Sequence, residues 1–159
     1  MTGHFLKILA IAGMSTLALP SVAHAADPAA MLAACPAWPT RCRVDLKGKV
    51  YKIQDTLRLK PLTTTLTNGV LDASGLPDGK PAILVSSDGK GQPESYDTAA
   101  NSIDHLVLTG QPKADGIVLD NKDDDNIRAA AITLENVSIS GFRRGVTFGN
   151  HAYVFGLSH

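Results

Sequence analysis

Two adjacent arginines, Arg143 and Arg144, are the cations whose placement suggests chemistry on an acidic substrate. β-Elimination of a uronic acid needs a cation to neutralise the sugar carboxylate and a base to take the proton from the adjacent carbon. Arginine or lysine can fill these roles. Two arginines in a predicted turn are also typical of a solvated corner, and we favour that interpretation.

Carboxylates could hold a metal or hydrolyse a glycosidic bond. The densest acidic cluster is Asp123-Asp124-Asp125-Asn126, with Asp120 and Asn121 just before it. Ca²⁺ takes several oxygen ligands, but the cluster lacks the glycine and distal glutamate of a Ca²⁺ loop. We therefore predict a solvated loop and no cofactor, with Ca²⁺ as the one metal to consider. Hydrolysis needs two carboxylates about 5–10 Å apart, and nothing in the sequence pairs Asp72 with Asp104, which both fall in predicted strands.

The histidines and one glycosylation pattern give weaker signals. His105, His151 and His159 are scattered, and no serine or cysteine nucleophile stands at a telling position. A Ser-His-Asp triad is assembled in space and leaves no fixed sequence spacing, so the sequence leaves that site undecided. Asn136-Val137-Ser138 fits the N-glycosylation pattern, but it falls inside a predicted strand and is interpreted as a chance match.

Cys35 and Cys42 are the only cysteines, and six residues separate them. Secreted proteins oxidise such pairs, so we predict a disulfide that staples a small loop. A structural metal site needs more cysteine or histidine nearby, and redox-active pairs usually have the tighter C-x-x-C spacing.

The segment 1–25 has the pattern of a secretory signal peptide. Lys7 precedes a 12-residue apolar stretch over 8–19, and Ala23-His24-Ala25 is a small-x-small cleavage motif. Cleavage is predicted between Ala25 and Ala26. A transmembrane anchor is disfavoured because a spanning helix needs about 20 apolar residues. We therefore predict a secreted or periplasmic protein with no membrane insertion after cleavage.

Composition predicts one folded domain. The chain has 159 residues, of which 44% are hydrophobic, and its 15 basic side chains balance 15 acidic ones. The length fits one domain, and the hydrophobic fraction is too high for a disordered chain. With no net charge, nothing suggests a nucleic-acid partner.

The predicted elements are one short helix followed by strands. Asp27 is a good N-cap residue and Pro28 suits the first helical position, so the helix is predicted over 28–34 and ends at Pro36. Alternating polar and apolar residues then predict half-buried strands at 49–53, 56–59 and 64–67.

An internal repeat follows these first strands. Three segments end in an alternating strand and a glycine, at Gly75, Gly110 and Gly141, with similar intervals between them. Each leads to a second predicted strand, at 82–86, 116–121 and 145–150. In the last two of these strands, the interval from Gly116 to Gly145 equals the interval from Asn121 to Asn150.

Two strands per period fit either a sandwich or a solenoid. Antiparallel sandwiches should show two-residue turns such as Asn-Gly, and the chain has one, at 68–69. A parallel β-solenoid stacks equivalent strands on one another, which accounts for the recurring pattern. The side chains predicted to stack inside it are the pairs Leu106–Val137, Leu108–Ile139, Ile117–Val146 and Leu119–Phe148.

The runs TTLTNGVLDASG, NSIDHLVLTG and ITLENVSISGFRRGVTFGNHAYVFGLSH resemble the right-handed parallel β-helix proteins of the pectate-lyase-like superfamily. The resemblance covers residues 45–159 and implies that the helix at 28–34 caps the first turn. It also implies a polysaccharide partner. Polysaccharide lyases, glycoside hydrolases, esterases and non-catalytic surface proteins share this fold, so the resemblance leaves the activity open.

Three predicted regions follow: a signal peptide at 1–25, an N-terminal cap with its disulfide loop at 26–44, and a parallel β-helix at 45–159. Family members usually have seven or more turns, whereas this sequence suggests about three. Residues 153–159 read as the first strand of another turn, so we expect the N-terminal part of a longer protein or a truncated chain. An open apolar end also predicts self-association.

Overall fold

The chain folds as an all-β protein with one short helix. The computed structural model describes residues 27–36, 40–60, 63–86, 101–120, 129–149 and 152–158. The elements are α1 (Pro28–Ala33), β1 (Cys42–Asp45), β2 (Val50–Lys52), β3 (Leu57–Leu59), β4 (Thr64–Asp72), β5 (Pro81–Val85), β6 (Asn101–Thr109), β7 (Asp115–Leu119), β8 (Ala129–Ser140), β9 (Arg144–Phe148) and β10 (Ala152–Ser158).

The strands form two parallel sheets, and the chain crosses from one to the other after most strands. Sheet A has the order β1-β4-β6-β8-β10, with β2 also paired to β4, and sheet B has the order β3-β5-β7-β9. From β4 to β9, each strand of sheet A is followed in the chain by one strand of sheet B. Each new strand therefore lies beside the equivalent strand of the preceding repeat.

The register confirms the predicted stacking of aliphatic side chains. The four predicted pairs all occur as Cα partners, namely Leu106–Val137, Leu108–Ile139, Ile117–Val146 and Leu119–Phe148. Leu106, Leu108, Ile117 and Leu119 are fully buried. Their partners Val137, Ile139 and Val146 are half-buried, whereas Phe148 is 41% exposed, so the predicted interior position of Phe148 is not a buried one. Parallel pairing stacks the apolar residues of neighbouring strands into rows.

Helix α1 begins where the sequence predicts and ends one residue earlier than predicted, at Ala33, with Ala34 as its C-cap. Asp27 is its N-cap, the Asp27 side chain accepts a hydrogen bond from the Ala29 amide, and Pro28 starts the helix. Leu32 is buried in the common core, and α1 contacts β1 and β3. The helix therefore covers the first layer of strands.

Three long strands of sheet A bend at equivalent residues. Asn68, His105 and Asn136 have φ values of 59°, 48° and 52°, in the left-handed region. Asn68 bends β4 without reversing it, so the Asn-Gly pair at 68–69 does not form a hairpin turn. Asparagine tolerates this conformation better than most residues, which explains its use at two of the three bends.

The structure differs from the predicted repeat in two details. The Ala73 amide bonds to the Thr109 carbonyl just as the Gly110 amide bonds to Ser140. Ala73 therefore occupies the place predicted for Gly75, because the first repeat has a longer turn. In addition, β1, β2 and β3 form an earlier layer of the same kind, which the sequence repeat did not include.

The two ends of the stacked core differ. At the first layer, a Cβ atom on Gly69 would fall within 3.2 Å of three Leu46 side-chain carbons, so Leu46 fills the space beside that glycine. At the last layer, Leu157 lies over Leu134. Leu157 is 62% exposed, whereas Leu134 is only 6% exposed. In the described part of β10, the core-type position of Leu157 is thus exposed to solvent.

Candidate functional site

The arginine pair singled out from the sequence binds a carboxylate of the chain itself. Asp115 begins β7, Arg143 lies in the bend after β8, and Arg144 begins β9. Arg144 donates to both Asp115 oxygens at 2.8 and 3.1 Å, and Arg143 does so at 2.9 and 3.1 Å. The Asp115 side chain is 5% exposed, while both guanidinium groups are about half exposed.

These four hydrogen bonds give Asp115 a structural role. The guanidinium groups of Arg144 and Arg143 hold the pKa of Asp115 well below that of an ordinary aspartate, because their hydrogen bonds stabilise the ionised carboxylate. Each guanidinium binds this carboxylate in a bidentate manner, through two hydrogen bonds. These contacts favour the interpretation of the two arginines as a structural corner over a substrate-binding pair. The corner differs from the predicted solvated one because a buried aspartate organises it.

A second group of cations lies at an open cleft between α1 and sheet B. The cleft has a volume of about 520 Å³, within the range of about 300–1,000 Å³ for small-molecule sites. Its lining comprises Ala29, Leu32 and Ala33 of α1, Thr56, Arg58 and Lys60 around β3, and Ser86 after β5.

Strand alternation places the polar side of this cleft on the outer face of sheet B. Leu57 and Leu59 are buried in the core, so Arg58 between them points outward. Thr56 and Lys60 continue the same side of the strand. The cleft therefore has one wall of hydroxyl and cationic groups and one largely apolar wall from α1.

Both cleft cations contact neutral acceptors. Arg58 donates to the Ser86 hydroxyl at 3.4 Å, and Lys60 donates to the Cys35 carbonyl at 3.3 Å. In the described part of the chain, no carboxylate forms an ion pair with either side chain. These contacts orient the two cations and leave their charge available to an anionic ligand.

The predicted disulfide helps to hold the helical wall of the cleft. Cys35, just after α1, is bonded to Cys42 at the start of β1, with a Cα–Cα distance of 5.6 Å. Cys35 is 4% exposed and its carbonyl is the Lys60 acceptor. The disulfide thus links the end of α1 to β1, and the carbonyl of one of its cysteines binds a cleft cation.

Other predicted site residues are not brought together. Asp104 pairs with Thr67, five residues before Asp72 in β4, and the bend at Asn68 lies between those two positions. The register therefore does not place the two carboxylates opposite one another on neighbouring strands. His105 is exposed and contacts Asp104, and no serine hydroxyl bonds to it among the described residues.

Several predicted features fall outside the described residues. They are the signal segment 1–25 with Ala26, the cluster 123–126 with Asn121, and the histidines His151 and His159. Asp120 is described and half-buried. Asn136 is exposed at the bend of β8, while Val137 of the same sequon is half-buried.

Two features are absent from the ranges that the structure describes. There, no three or more histidine, cysteine, aspartate or glutamate residues form a group able to hold a metal ion. No helix in those ranges combines the length and apolar character needed to cross a bilayer.

No protein-family model, curated protein or solved structure matches this chain. The side chains of the cleft and the corner are therefore the basis for assigning a function. Sequence patterns alone missed Arg58 and Lys60, although polar residues at 56, 58 and 60 between buried leucines were the signal for a cationic outer face.

Proposed function

We propose that this chain is an exported right-handed parallel β-helix protein that binds polysaccharide along the outer face of sheet B. Two parallel sheets joined by alternate crossings support the β-helix, and parallel crossover connections are right-handed in almost all proteins. The signal-like segment 1–25 and the Cys35–Cys42 disulfide support export.

The cleft beside α1 is the observation that carries the binding proposal. It is open, it lies on the outer surface, and it combines an apolar wall with hydroxyl and cationic groups. A sugar ring presents both an apolar CH face and polar substituents. Sites that bind small molecules are similarly apolar with a few placed polar groups.

Binding is favoured over cleavage by the placement of the charged residues. Arg143 and Arg144 are engaged with Asp115, and Asp72 and Asp104 occupy different positions along the strands. A polysaccharide lyase or glycoside hydrolase is the alternative. An enzyme would release unsaturated or reducing ends from the polysaccharide, whereas a surface or adhesive protein would bind without releasing either.

Affinity electrophoresis of the mature chain through gels containing polysaccharides tests the proposal. Ala33 lines the cleft and Ala34 does not, and both are exposed. Ala33→Trp should fill the cleft and abolish the retardation, while Ala34→Trp should leave it unchanged. Equal retardation of both variants, or no retardation of the unmodified chain by any polysaccharide, would contradict the proposed function.

A separate observation favours self-association as a second function. Leu157 is 62% exposed at the end of a row whose preceding members, Leu66, Ile103 and Leu134, are buried. Its strand β10 is the terminal strand in the described order of sheet A. Among the described strands, β10 pairs with β8 alone, and an exposed apolar side chain beside such an edge favours pairing with a second copy.

A further inference from the structure

We propose that the cleft between α1 and β3 selects a sugar that carries a negatively charged oxyanion, either a carboxylate or a sulfate, and that Arg58 and Lys60 bind that group. The inference rests on the proposed function and specifies its ligand. It assigns the two cations a role that the sequence pattern suggested for Arg143 and Arg144.

Charge distinguishes the cleft from the arginine corner. Arg143 and Arg144 share a buried carboxylate at distances of 2.8–3.1 Å. Arg58 and Lys60 instead donate to a hydroxyl and a carbonyl. Neutral acceptors orient a cation without cancelling its charge, so an oxyanion entering this cleft gains attraction that the arginine corner no longer offers.

The spacing of the two cleft cations suits one shared ligand. Arg58 and Lys60 are two residues apart on one strand, so their Cα atoms lie about 6.6–6.8 Å apart on one face. Arginine offers a planar fork that fits a carboxylate or sulfate through two hydrogen bonds, and lysine adds a compact charge. Both side chains are long enough to span this distance and to reach one oxyanion between them.

The rest of the lining suits a sugar ring that bears the oxyanion. Ala29, Leu32 and Ala33 provide an apolar surface opposite the cations. Ser86 provides a hydroxyl group at the same site, and the Thr56 hydroxyl, which donates to the Pro81 carbonyl at 2.8 Å, can accept a hydrogen bond there. A free inorganic ion would leave the apolar wall without a contact, whereas an oxyanion attached to a sugar ring contacts the cations, the hydroxyls and the apolar wall together.

The contacts of the cations also preorganise the site. The Ser86 hydroxyl accepts from Arg58 and remains able to donate to a ligand. The Cys35 carbonyl holds Lys60 beside the helical wall. Side chains already fixed by neighbours lose less conformational freedom when the ligand binds.

Titration of the mature chain with polygalacturonate, dextran sulfate and neutral dextran, and with the monomers galacturonate and galactose, tests the selectivity. The double variant R58Q/K60Q removes both cleft cations. The matched control R41Q/K49Q removes one exposed arginine and one exposed lysine outside the cleft. Because Arg58 and Lys60 are exposed, we expect all variants to fold, which circular dichroism checks.

We expect an anionic polymer to bind at least about tenfold more tightly than dextran. R58Q/K60Q should lose that preference, R41Q/K49Q should keep it, and added salt should weaken it. Tighter binding of polygalacturonate identifies a carboxylate ligand, and tighter binding of dextran sulfate identifies a sulfate ligand.

Two results separate this inference from the proposed function. If dextran binds as tightly as both anionic polymers, or R58Q/K60Q retains the full preference, the oxyanion inference is wrong and polysaccharide binding stands. If galacturonate binds through Arg58 and Lys60 but no polymer binds, the oxyanion selectivity is supported and the polysaccharide proposal is wrong.

Discussion

Asp115 and Arg144 are Cα partners on adjacent parallel strands, and the guanidinium of Arg144 donates to both oxygens of the Asp115 carboxylate. Arg143 reaches the same carboxylate from the bend that precedes β9. A single buried acid therefore fastens a turn and a strand of one layer to the preceding layer, and it does so at the point where the chain enters sheet B.

Asp115→Asn should destabilise the protein by about 1–3 kcal/mol, because it removes the charge while leaving two guanidinium groups around a buried side chain. Asp78→Asn is the control. Asp78 pairs with Lys113 at 3.0 Å, but the side chains of Lys113 and Asp78 are 72% and 65% exposed, so little change is expected. Urea denaturation measures both. Equal effects of the two substitutions would contradict a special role for Asp115.

The same carboxylate predicts how stability changes with pH. Hydrogen bonds from Arg144 and Arg143 lower the pKa of Asp115 in the folded protein. Its stabilisation is therefore fully present above the unfolded value of about 3.9 and is lost as the pH falls below it towards the folded value. The difference in unfolding free energy between the unmodified chain and Asp115→Asn should shrink from pH 7 to pH 3. A constant difference would exclude this linkage.

Gly116→Ala should lower the melting temperature, while Gly145→Ala should not. A Cβ atom on Gly116 would overlap the backbone carbonyl of Gly145 in the next strand, whereas a Cβ on Gly145 would meet only an Ile139 methyl at 3.7 Å. Overpacking against backbone costs about 1–3 kcal/mol. Calorimetry of the two variants checks the expectation, and a larger loss for Gly145→Ala would reverse it.

Replacing both cysteines, C35S/C42S, should reduce stability by about 2–3 kcal/mol and weaken ligand binding at the cleft. The disulfide closes a short loop, and the six-residue α1 is too short to persist without its attachments. Melting temperature and polymer affinity are compared with and without reductant. Reductant should reproduce the effect in the unmodified chain and do nothing further to C35S/C42S.

Leu157→Ser should leave the unfolding free energy within about 0.5 kcal/mol and reduce self-association, because Leu157 is largely exposed and little burial is lost in the single chain. Sedimentation over a range of concentrations measures the association, and Val50→Ser, another exposed apolar position at 66%, is the control. Unchanged association of Leu157→Ser would contradict pairing through this end.

The stacked interior could be predicted because parallel pairing converts a sequence offset directly into a contact. The offset between Gly116 and Gly145 is also the offset between the strand partners Ile117 and Val146. Alternation within each strand then decides which side chains face inward. Both signals are local or periodic, so they can be recognised in the sequence without knowing how the loops fold.

The candidate site could not be predicted in the same way because its parts are distant in the chain, and the layer that holds Arg58 and Lys60 was not part of the repeat seen in the sequence. Arg58 and Ser86 are 28 residues apart, and Lys60 and Cys35 are 25 apart. Arg143 was visible as a cation, but its carboxylate partner also lies 28 residues away. Without the register, an arginine that is paired with a carboxylate cannot be told from one that contacts only neutral acceptors.

The packing of Leu46 against Gly69 bears on the order in which the layers of this protein fold. Leu46 of the first layer fills the space beside Gly69, and α1 contacts β1 and β3 of the same layer. Both Leu46 and α1 lie near the beginning of the described chain. Each later layer needs only the layer before it as a template. A chain that emerges from the ribosome with its N-terminus first can therefore fold layer by layer during synthesis.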